Sequence, residues 1–293
     1  MSMHLPDERA LAGIRLIATD IDGTLLETGT PITARVLEAI DAVRETGAHV
    51  VPVTGRPLRW MDPVAAQLPQ LQWAICANGS AVLDMQSGQL AAAYGIDPGQ
   101  LVDFRERLHS VLPQAVLAYE TPDGSFTSPG FVHDSATDLS ESAAVRARLE
   151  APEIAYGEES TLGTVLKVLV RIPGSYDSEA LLNAVSPLTR GIFHPTHSNP
   201  SSGLIELAAP GITKAHTLEV FAADRGISSP EVAAFGDMPN DIEMLTWAGA
   251  GFAIADGHQQ ALQAAAFRAP SLADGGIAPV LEAIARARSA ELG

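Results

Sequence analysis

The sequence is poor in cysteine and in basic residues. Cys76 is its single cysteine, so no intramolecular disulfide can form, and the apolar residues around it indicate a buried thiol. Lysine and arginine together number 18 against 35 aspartates and glutamates, and the formal net charge is −17. Because nonspecific binding to a polyanion needs clustered positive charge, we expect neither nucleic acid nor an anionic membrane as a partner.

Long hydrophobic runs are missing as well. No segment approaches the length of a membrane span, and the N-terminal stretch, which carries Asp7 and Glu8, has no apolar core of the kind found in export signals. We therefore expect a cytoplasmic protein that acts as a monomer or a homodimer. Its 293 residues, 46% of them apolar, are enough for a large core divided between two domains.

Short apolar runs that end in small or polar residues alternate with helical patterns. One such helix begins after Thr33, a typical N-cap residue, and ends before Gly47. Strands that are buried on both faces read as continuous apolar runs, so the alternation predicts an α/β fold with a Rossmann-like parallel sheet. The predicted strands are 14–19, 49–53, 73–77, 232–235 and 251–254.

The pattern changes between residues 84 and 202, where breaks at Pro and Gly are frequent. An amphipathic helix around Leu101 and Phe104 and an alternating strand over 165–172 predict an inserted α+β domain. The core would then be discontinuous, comprising residues 1–83 and 203–293, with a strand over 204–207 near the junction.

Polar residues of the insert form no motif that names a substrate. The candidates are Tyr119, Glu120, His133 and Asp134. His194 and His197 resemble a metal pair in spacing but lack further ligands, so we expect them on the surface.

Two carboxylates follow the first predicted strand. Asp20 and Asp22 are separated by one residue, and Gly23 permits a tight turn beside them. Unpaired carboxylates are costly to bury, and oxygen ligands at a strand end suit a divalent cation. A solvated turn is the alternative for this segment taken alone.

The ends of other strands carry groups suited to anions. Thr54, Gly55 and Arg56 supply a hydroxyl, backbone amides and a guanidinium, although a helix N-cap explains them equally well. Asn78 after the third strand is explained most simply as a turn residue. Lys214 is more informative, because the chain has only two lysines and this one opens a helix, where its charge opposes the helix dipole.

A second acidic pair follows the strand over 232–235. Asp237 and Asp241 lie four residues apart, and Asp241 is also explained by its place in a first helical turn. Ligands of open parallel sheets bind outside the carboxyl ends of the strands, where all these side chains should meet. Together they indicate a phosphoryl-transfer site, which requires charge neutralisation and positioning.

These residues resemble the four motifs of the haloacid dehalogenase superfamily, in particular the Cof-type phosphatases with an inserted C2 cap. The resemblance implies that Asp20 is the nucleophile, that Asp22 is the general acid and base, and that Thr54 and Lys214 hold the phosphate. It further implies magnesium ligation by Asp20, Asp22, Asp237 and Asp241, and phosphate contacts from Asp22, Gly23, Thr54, Gly55, Arg56, Asn78, Lys214 and Asn240.

The expected function is the magnesium-dependent hydrolysis of a small phosphorylated metabolite, such as a sugar phosphate, through an aspartyl phosphate on Asp20. A phosphotransferase or phosphomutase would use the same intermediate and pass the phosphoryl group to a hydroxyl. A noncatalytic phosphate-sensing module is a third reading, which the large insert and the acid at Asp22 disfavour.

Overall fold

The computed structural model describes residues 5–132 and 151–292. His133 and Asp134 lie outside the described residues. In chain order the strands are β1 Leu16–Thr19, β2 His49–Pro52, β3 Trp73–Cys76, β4 Ala81–Asp84, β5 Gln89–Ala93, β6 Val116–Thr121, β7 Gly124–Thr127, β8 Lys167–Arg171, β9 His194–Thr196, β10 Leu204–Ala208, β11 Val232–Gly236, β12 Ala250–Ile254 and β13 Phe267–Ala269. The α-helices are α1 Glu8–Ala12, α2 Ala34–Glu45, α3 Asp62–Gln67, α4 Pro98–Val111, α5 Ser178–Thr189, α6 Lys214–Ala223, α7 Ile242–Trp247, α8 Gln259–Ala264 and α9 Ala278–Leu292.

The core is a parallel sheet in the order β13-β12-β11-β1-β2. In the centre, Leu16 of β1 pairs with Val232 of β11 on one side and with His49 of β2 on the other. Helices α2 and α9 cover one face with side chains such as Val43 and Ile284. Helices α6, α7 and α8 cover the other, which explains why the strands are apolar throughout. The predicted α/β class is confirmed.

The third predicted strand lies beside β2 but belongs mainly to another sheet. β3 touches β2 through a parallel bridge between Val53 and Ile75, and it pairs antiparallel with β4, which pairs with β5. The chain reverses after β3 because Ala77 and Asn78 adopt left-handed backbone conformations, with φ of 51° and 56°. The connection is too short for a helical crossover, and only antiparallel strands allow a connection of this length.

A second sheet, antiparallel throughout, has the order β7-β6-β8-β10-β9. Its apolar face packs on α4 and α5 around Phe104, Val170 and Leu207. Its other face carries buried polar side chains, among them Glu120, Lys167 and Glu206. The predicted strand over 204–207 therefore lies in this second sheet, as the alternation of apolar Ile205 and Leu207 with Glu206 explains.

The division at residues 84 and 202 stays a prediction, and the packing bears on where its limits lie. The hairpin of β4 and β5 packs on the core through Ala81 and Leu83. The apolar cluster of the second sheet extends from Ile96 to Ile212. These contacts favour an insert that begins and ends about ten residues later than the sequence pattern suggests.

No helix within the two described ranges combines the length and the apolarity needed to cross a membrane.

Gly79 provides a test of how the β3–β4 turn fits against the core. Gly79 and Gly47 both have positive φ, 99° and 82°, but a Cβ at Gly79 would overlap the carbonyl of Thr213, whereas one at Gly47 meets nothing within 4 Å. We expect Gly47→Ala to cost about 1 kcal/mol of stability from backbone strain alone. Gly79→Ala should cost a further 1–3 kcal/mol or so, because the backbone of Thr213 must move.

The two variants are compared by urea unfolding at neutral pH. Gly47→Ala is the matched control for the left-handed conformation. Equal midpoints for the two variants would contradict the close approach at Gly79.

Candidate active site

Three carboxylates and one ammonium group converge at the carboxyl end of the core sheet. Asp20 follows β1, Asp237 follows β11, and Asp241 lies one turn further along. One oxygen of each of the three acids lies within 4.8 Å of the others. The Nζ atom of Lys214 donates to Asp20 Oδ1 at 2.5 Å and to Asp241 Oδ1 at 2.6 Å. All four residues are buried.

Short-range geometry explains why these acids converge. β1 and β11 are adjacent and parallel, so their next residues emerge side by side. Gly23 has φ of 82°, and a Cβ there would overlap the carboxylate of Asp237. The hydroxyl of Thr24 donates to Asp237 Oδ1 at 3.0 Å, and Oδ2 of Asp241 accepts the backbone N–H groups of Asp237 and Met238, each at 3.0 Å.

The same residues perturb one another electrostatically. Burial raises the pKa of Asp20 well above its usual value, and Lys214 opposes this rise while Asp241 and Asp237 add to it. Burial, followed by repulsion from Asp241, raises the pKa of Asp237 to about 7. Burial alone would lower the pKa of Lys214, but the two carboxylates that it contacts outweigh this and leave the pKa above its usual value. The site is thus short of positive charge.

The donor set fits a hard divalent cation. All three candidate ligands are carboxylates, which Mg²⁺ and Ca²⁺ prefer. Asp241 already uses both oxygens, one on Lys214 and one on backbone N–H groups. Asp20 and Asp237 each engage only one oxygen in hydrogen bonds within the described residues, so they are the more available ligands. A cation there would offset the repulsion between the acids.

Asp22 points away from this cluster. Its carboxylate forms a two-bond ion pair with Arg56, with Nε to Oδ2 at 2.7 Å and Nη2 to Oδ1 at 2.6 Å. The hydroxyl of Thr28 also donates to it, at 3.0 Å. The side chain of Asp22 is thereby held at the rim of the site, 34% exposed, and it is not one of the three clustered acids.

The remaining predicted residues form a second group beside the cluster. The hydroxyl of Thr54 accepts the N–H of Arg56 at 3.1 Å, and the carbonyl of Thr54 accepts the N–H of Asn78 at 3.0 Å. Asn240 donates to Asn78 Oδ1 at 3.0 Å. A Cβ at Gly55 would lie 3.1 Å from that same Oδ1 atom, so the loop after β2 packs tightly on both amides.

Two buried residues of this group were missed by the sequence analysis. Nζ of Lys167 donates to the carbonyl of Gly55 at 2.8 Å and to Glu206 Oε2 at 3.2 Å, and Asn78 donates to the same Glu206 oxygen. Both residues come from the second sheet and contact the loops of the core. Their signals were present, since Lys167 is the other lysine of the chain and Glu206 interrupts an apolar strand.

The expectation that His197 lies on the surface is wrong. His197 is 3% exposed, and its ring lies edge-on to that of His258, with centroids 6.4 Å apart. It is buried because the end of β9 packs against the core. His194 is intermediate in exposure and belongs to β9 itself.

Comparison with known proteins assigns the family. The model of the haloacid dehalogenase-like hydrolases matches residues 17–281, so the chain belongs to this family. A 5-amino-6-(5-phospho-D-ribitylamino)uracil phosphatase of Bacillus subtilis, YitU, is 28% identical over 250 residues, which are 83% of this chain and 87% of YitU. The pyridoxal phosphate phosphatase YbhA of Escherichia coli is 25% identical over 265 residues, covering 82% and 87% of the two chains.

Solved structures share the whole fold. BT1666, a phosphatase of the haloalkanoate superfamily from Bacteroides thetaiotaomicron, matches with a TM-score of 0.76 at 23% identity, over 97% of this chain and 99% of its own. The subclass IIB sugar phosphatase BT4131 matches with a TM-score of 0.73 at 19% identity, over 92% and 98%. The predicted superfamily and the predicted enzyme class, a hydrolase of phosphomonoesters, are confirmed.

Lys214 should be essential for the stability of the site. In Lys214→Met the ammonium is lost while Asp20 and Asp241 stay buried, so we expect a loss of about 3–5 kcal/mol at pH 8. The pKa of Asp20, which burial already raises, then rises further above its unfolded value because Lys214 no longer opposes the rise. A carboxyl group whose pKa is higher in the folded than in the unfolded protein lowers the free energy of unfolding at pH values above its folded pKa. This loss disappears as the pH falls toward the pKa of the unfolded state. The loss should therefore be smaller at pH 5.

Urea unfolding of the wild type and the variant at both pH values measures this difference. Arg35→Met, which removes an exposed ion pair with Glu282, is the control and should leave the unfolding midpoint almost unchanged at both pH values. A loss that is independent of pH would show that packing, and not charge, makes Lys214 necessary.

Proposed function

We propose that the protein is a magnesium-dependent phosphatase that hydrolyses a small phosphorylated metabolite through an aspartyl phosphate on Asp20. The observation that carries this proposal is the contact of Lys214 with both Asp20 and Asp241 in a buried cluster of three acids. Such a cluster serves no packing purpose, because buried like charges are costly unless the site uses them.

Asp20 is suited to be the nucleophile. One carboxylate oxygen is held by Lys214 and the other accepts no hydrogen bond within the described residues. In the first step one carboxylate oxygen of Asp20 bonds to phosphorus while the bond from phosphorus to the leaving oxygen breaks, and the other oxygen stays available to the cation. In the second step water attacks the phosphorus, the Asp20–phosphorus bond breaks, and inorganic phosphate leaves. Lys214 neutralises charge on the transferring oxygens in both steps.

Asp22 is suited to proton transfer because its carboxylate lies outside the acidic cluster. In its protonated form it would give a proton to the leaving oxygen, and as the carboxylate it would then accept one from the attacking water. The two bonds from Arg56 and the one from Thr28 fix the orientation of this group. The hydroxyl of Thr54 and the neighbouring loop amide of Gly55 would bind the phosphate oxygens.

Asp20 and Asp237 would hold the magnesium ion, with Asp241 positioned by Lys214 beside them and the backbone of Asp22 as a further ligand. The ion would supply positive charge against the phosphoryl oxygens. This assignment agrees with the burial of Asp20 and Asp237 close to each other, which raises the pKa of both carboxyl groups.

The relatives support a small phosphorylated substrate. Two are named for phosphate esters of a ribitylaminouracil and of pyridoxal, and a structural neighbour is a sugar phosphatase. A phosphotransferase or phosphomutase would share the first step and differ in the acceptor. Release of phosphate with water as the only acceptor separates hydrolysis from both.

The mechanism predicts the effect of two substitutions. Asp20→Asn removes the nucleophile and Asp22→Asn removes the proton donor, so each should lower phosphate release by at least about a hundredfold. The measurement is magnesium-dependent release of inorganic phosphate from a panel of sugar, nucleotide and cofactor phosphates. Asp41→Asn, an exposed acid on α2, is the control and should keep full activity. Full turnover in Asp20→Asn would refute the aspartyl phosphate.

Metal binding is tested without reference to turnover. We expect magnesium to raise the thermal midpoint of the wild type, because the ion relieves repulsion between Asp20 and Asp237. Asp237→Asn removes one of these charges, so it should unfold at a higher temperature than the wild type without magnesium and gain less when magnesium is added. An equal gain in both proteins would place the ion elsewhere.

A further inference from the structure

A cavity of about 370 Å³ lies between the core and the insert, next to the proposed phosphate site. It begins at Pro57, the residue after Arg56, and it is lined by the hairpin of β4 and β5 and by the turn between β6 and β7. Met61, Leu83, Met85 and Leu90 give it an apolar wall. None of the three clustered acids lines it, so the cavity is separate from the residues that act on phosphorus.

Glu120, at the end of β6, is a buried carboxylate of this cavity with one oxygen available to a ligand. The side chain is 3% exposed, and its Oε1 atom accepts Nη2 of Arg59 at 2.8 Å. Its Oε2 atom is buried and has no hydrogen-bond partner in the described part of the chain. A buried acceptor left without a donor costs free energy, and a ligand that supplies an N–H or O–H group would recover it.

The position of Glu120 connects this cavity with the site of chemistry. In the second sheet Glu120 pairs directly with Lys167, whose Nζ contacts the carbonyl of Gly55 in the loop after β2. A substrate whose phosphate lies at that loop would therefore extend its leaving group along the polar face of the second sheet toward Glu120.

The charged residues around the cavity disfavour a leaving group that carries a negative charge. Asp62, Glu120 and Asp123 line it, and Arg59 is the one basic residue that does so within the described ranges. Arg59 is already bonded to Glu120. A second anionic group on the substrate would thus face three carboxylates and one guanidinium that has a partner.

We propose that Glu120 is a specificity-determining residue that accepts a hydrogen bond from a hydroxyl or amine group at the end of the leaving group remote from the phosphate, and that the site rejects leaving groups with a carboxylate there. This inference rests on the proposed phosphatase function and names its substrate class: phosphate esters of polyhydroxylated or amino compounds without a second negative charge.

Two six-carbon substrates test this directly. Glucitol 6-phosphate and 6-phosphogluconate differ only at the carbon farthest from the phosphate, which carries a hydroxyl in the first and a carboxylate in the second. We expect the wild type to favour glucitol 6-phosphate by about tenfold or more in kcat/KM, the size of one hydrogen bond to a charged group. Glu120→Gln should raise KM for glucitol 6-phosphate with little change in kcat, and should reduce the preference to about threefold or less.

Two further variants separate this role from a structural one. Glu106→Gln makes the same change at an exposed position of α4 and should leave the preference unchanged. Glu120→Asp keeps the charge but withdraws it, so KM for glucitol 6-phosphate should rise while 6-phosphogluconate is still rejected. Thermal midpoints show whether each variant is folded. If Glu120→Gln does not fold, Glu120→Asp tests the proposal in its place.

The proposal is overturned by a wild type that hydrolyses both substrates equally, by one that prefers 6-phosphogluconate, or by a preference that Glu120→Gln leaves intact. Turnover of other phosphate esters but of neither six-carbon compound also overturns it, while leaving the proposed function in place. Absence of turnover on every phosphate ester, with folded protein and magnesium present, removes the proposed function and this inference together.

Discussion

The contact of one ammonium group with two buried carboxylates is the interaction on which the rest of the site depends. Adjacent parallel strands bring Asp20 and Asp237 to the same edge, and the turn after β11 adds Asp241. Without Lys214 these acids would repel each other in a region that excludes water. The helix α6 begins at Lys214 with Thr213 as its N-cap, so the start of one helix fixes the charge balance of the whole cluster.

The insert contributes to the site through polar contacts on one face of its sheet. Lys167 binds the loop carbonyl of Gly55, and Glu206 accepts from Asn78, which the same loop contacts. The opposite face of the sheet is apolar and packs on its own helices. This division lets the insert keep an independent core and present a charged surface to the loop after β2. A shift of the insert would therefore move Thr54 and Arg56, which belong to that loop.

Sequence reasoning predicted the part of the site that is local to strand ends. Asp20, Asp237 and Lys214 were found because acids and a rare lysine follow apolar strands of a parallel sheet, and such ends must meet. The ion pair of Asp22 with Arg56 was not predicted, because it depends on how two loops fold back toward each other. A sequence pattern records which residues end a strand but not which loops touch.

The residues that sequence reasoning missed lie where two domains meet. Glu206 and Lys167 lie on strands in which polar and apolar residues alternate, so each strand has one polar face. The local sequence does not indicate that this face packs on the core. The limits of the insert, which stay a prediction, depend on the same kind of contact. The hairpin of β4 and β5 looks like irregular chain in sequence, yet Ala81 and Leu83 pack against the core.

The burial of the two lysines has a consequence for chemical labelling. They are the only lysines in the sequence, and in the folded protein they are 1% and 3% exposed, so the surface carries its positive side-chain charge as arginine and histidine alone. A reagent that acylates amines therefore finds no exposed lysine on the folded protein, and the α-amino group is the other amine that it can modify. The rate at which Lys167 is labelled would therefore report how often its contact with the carbonyl of Gly55 opens, and the rate for Lys214 would report how often the acidic cluster opens.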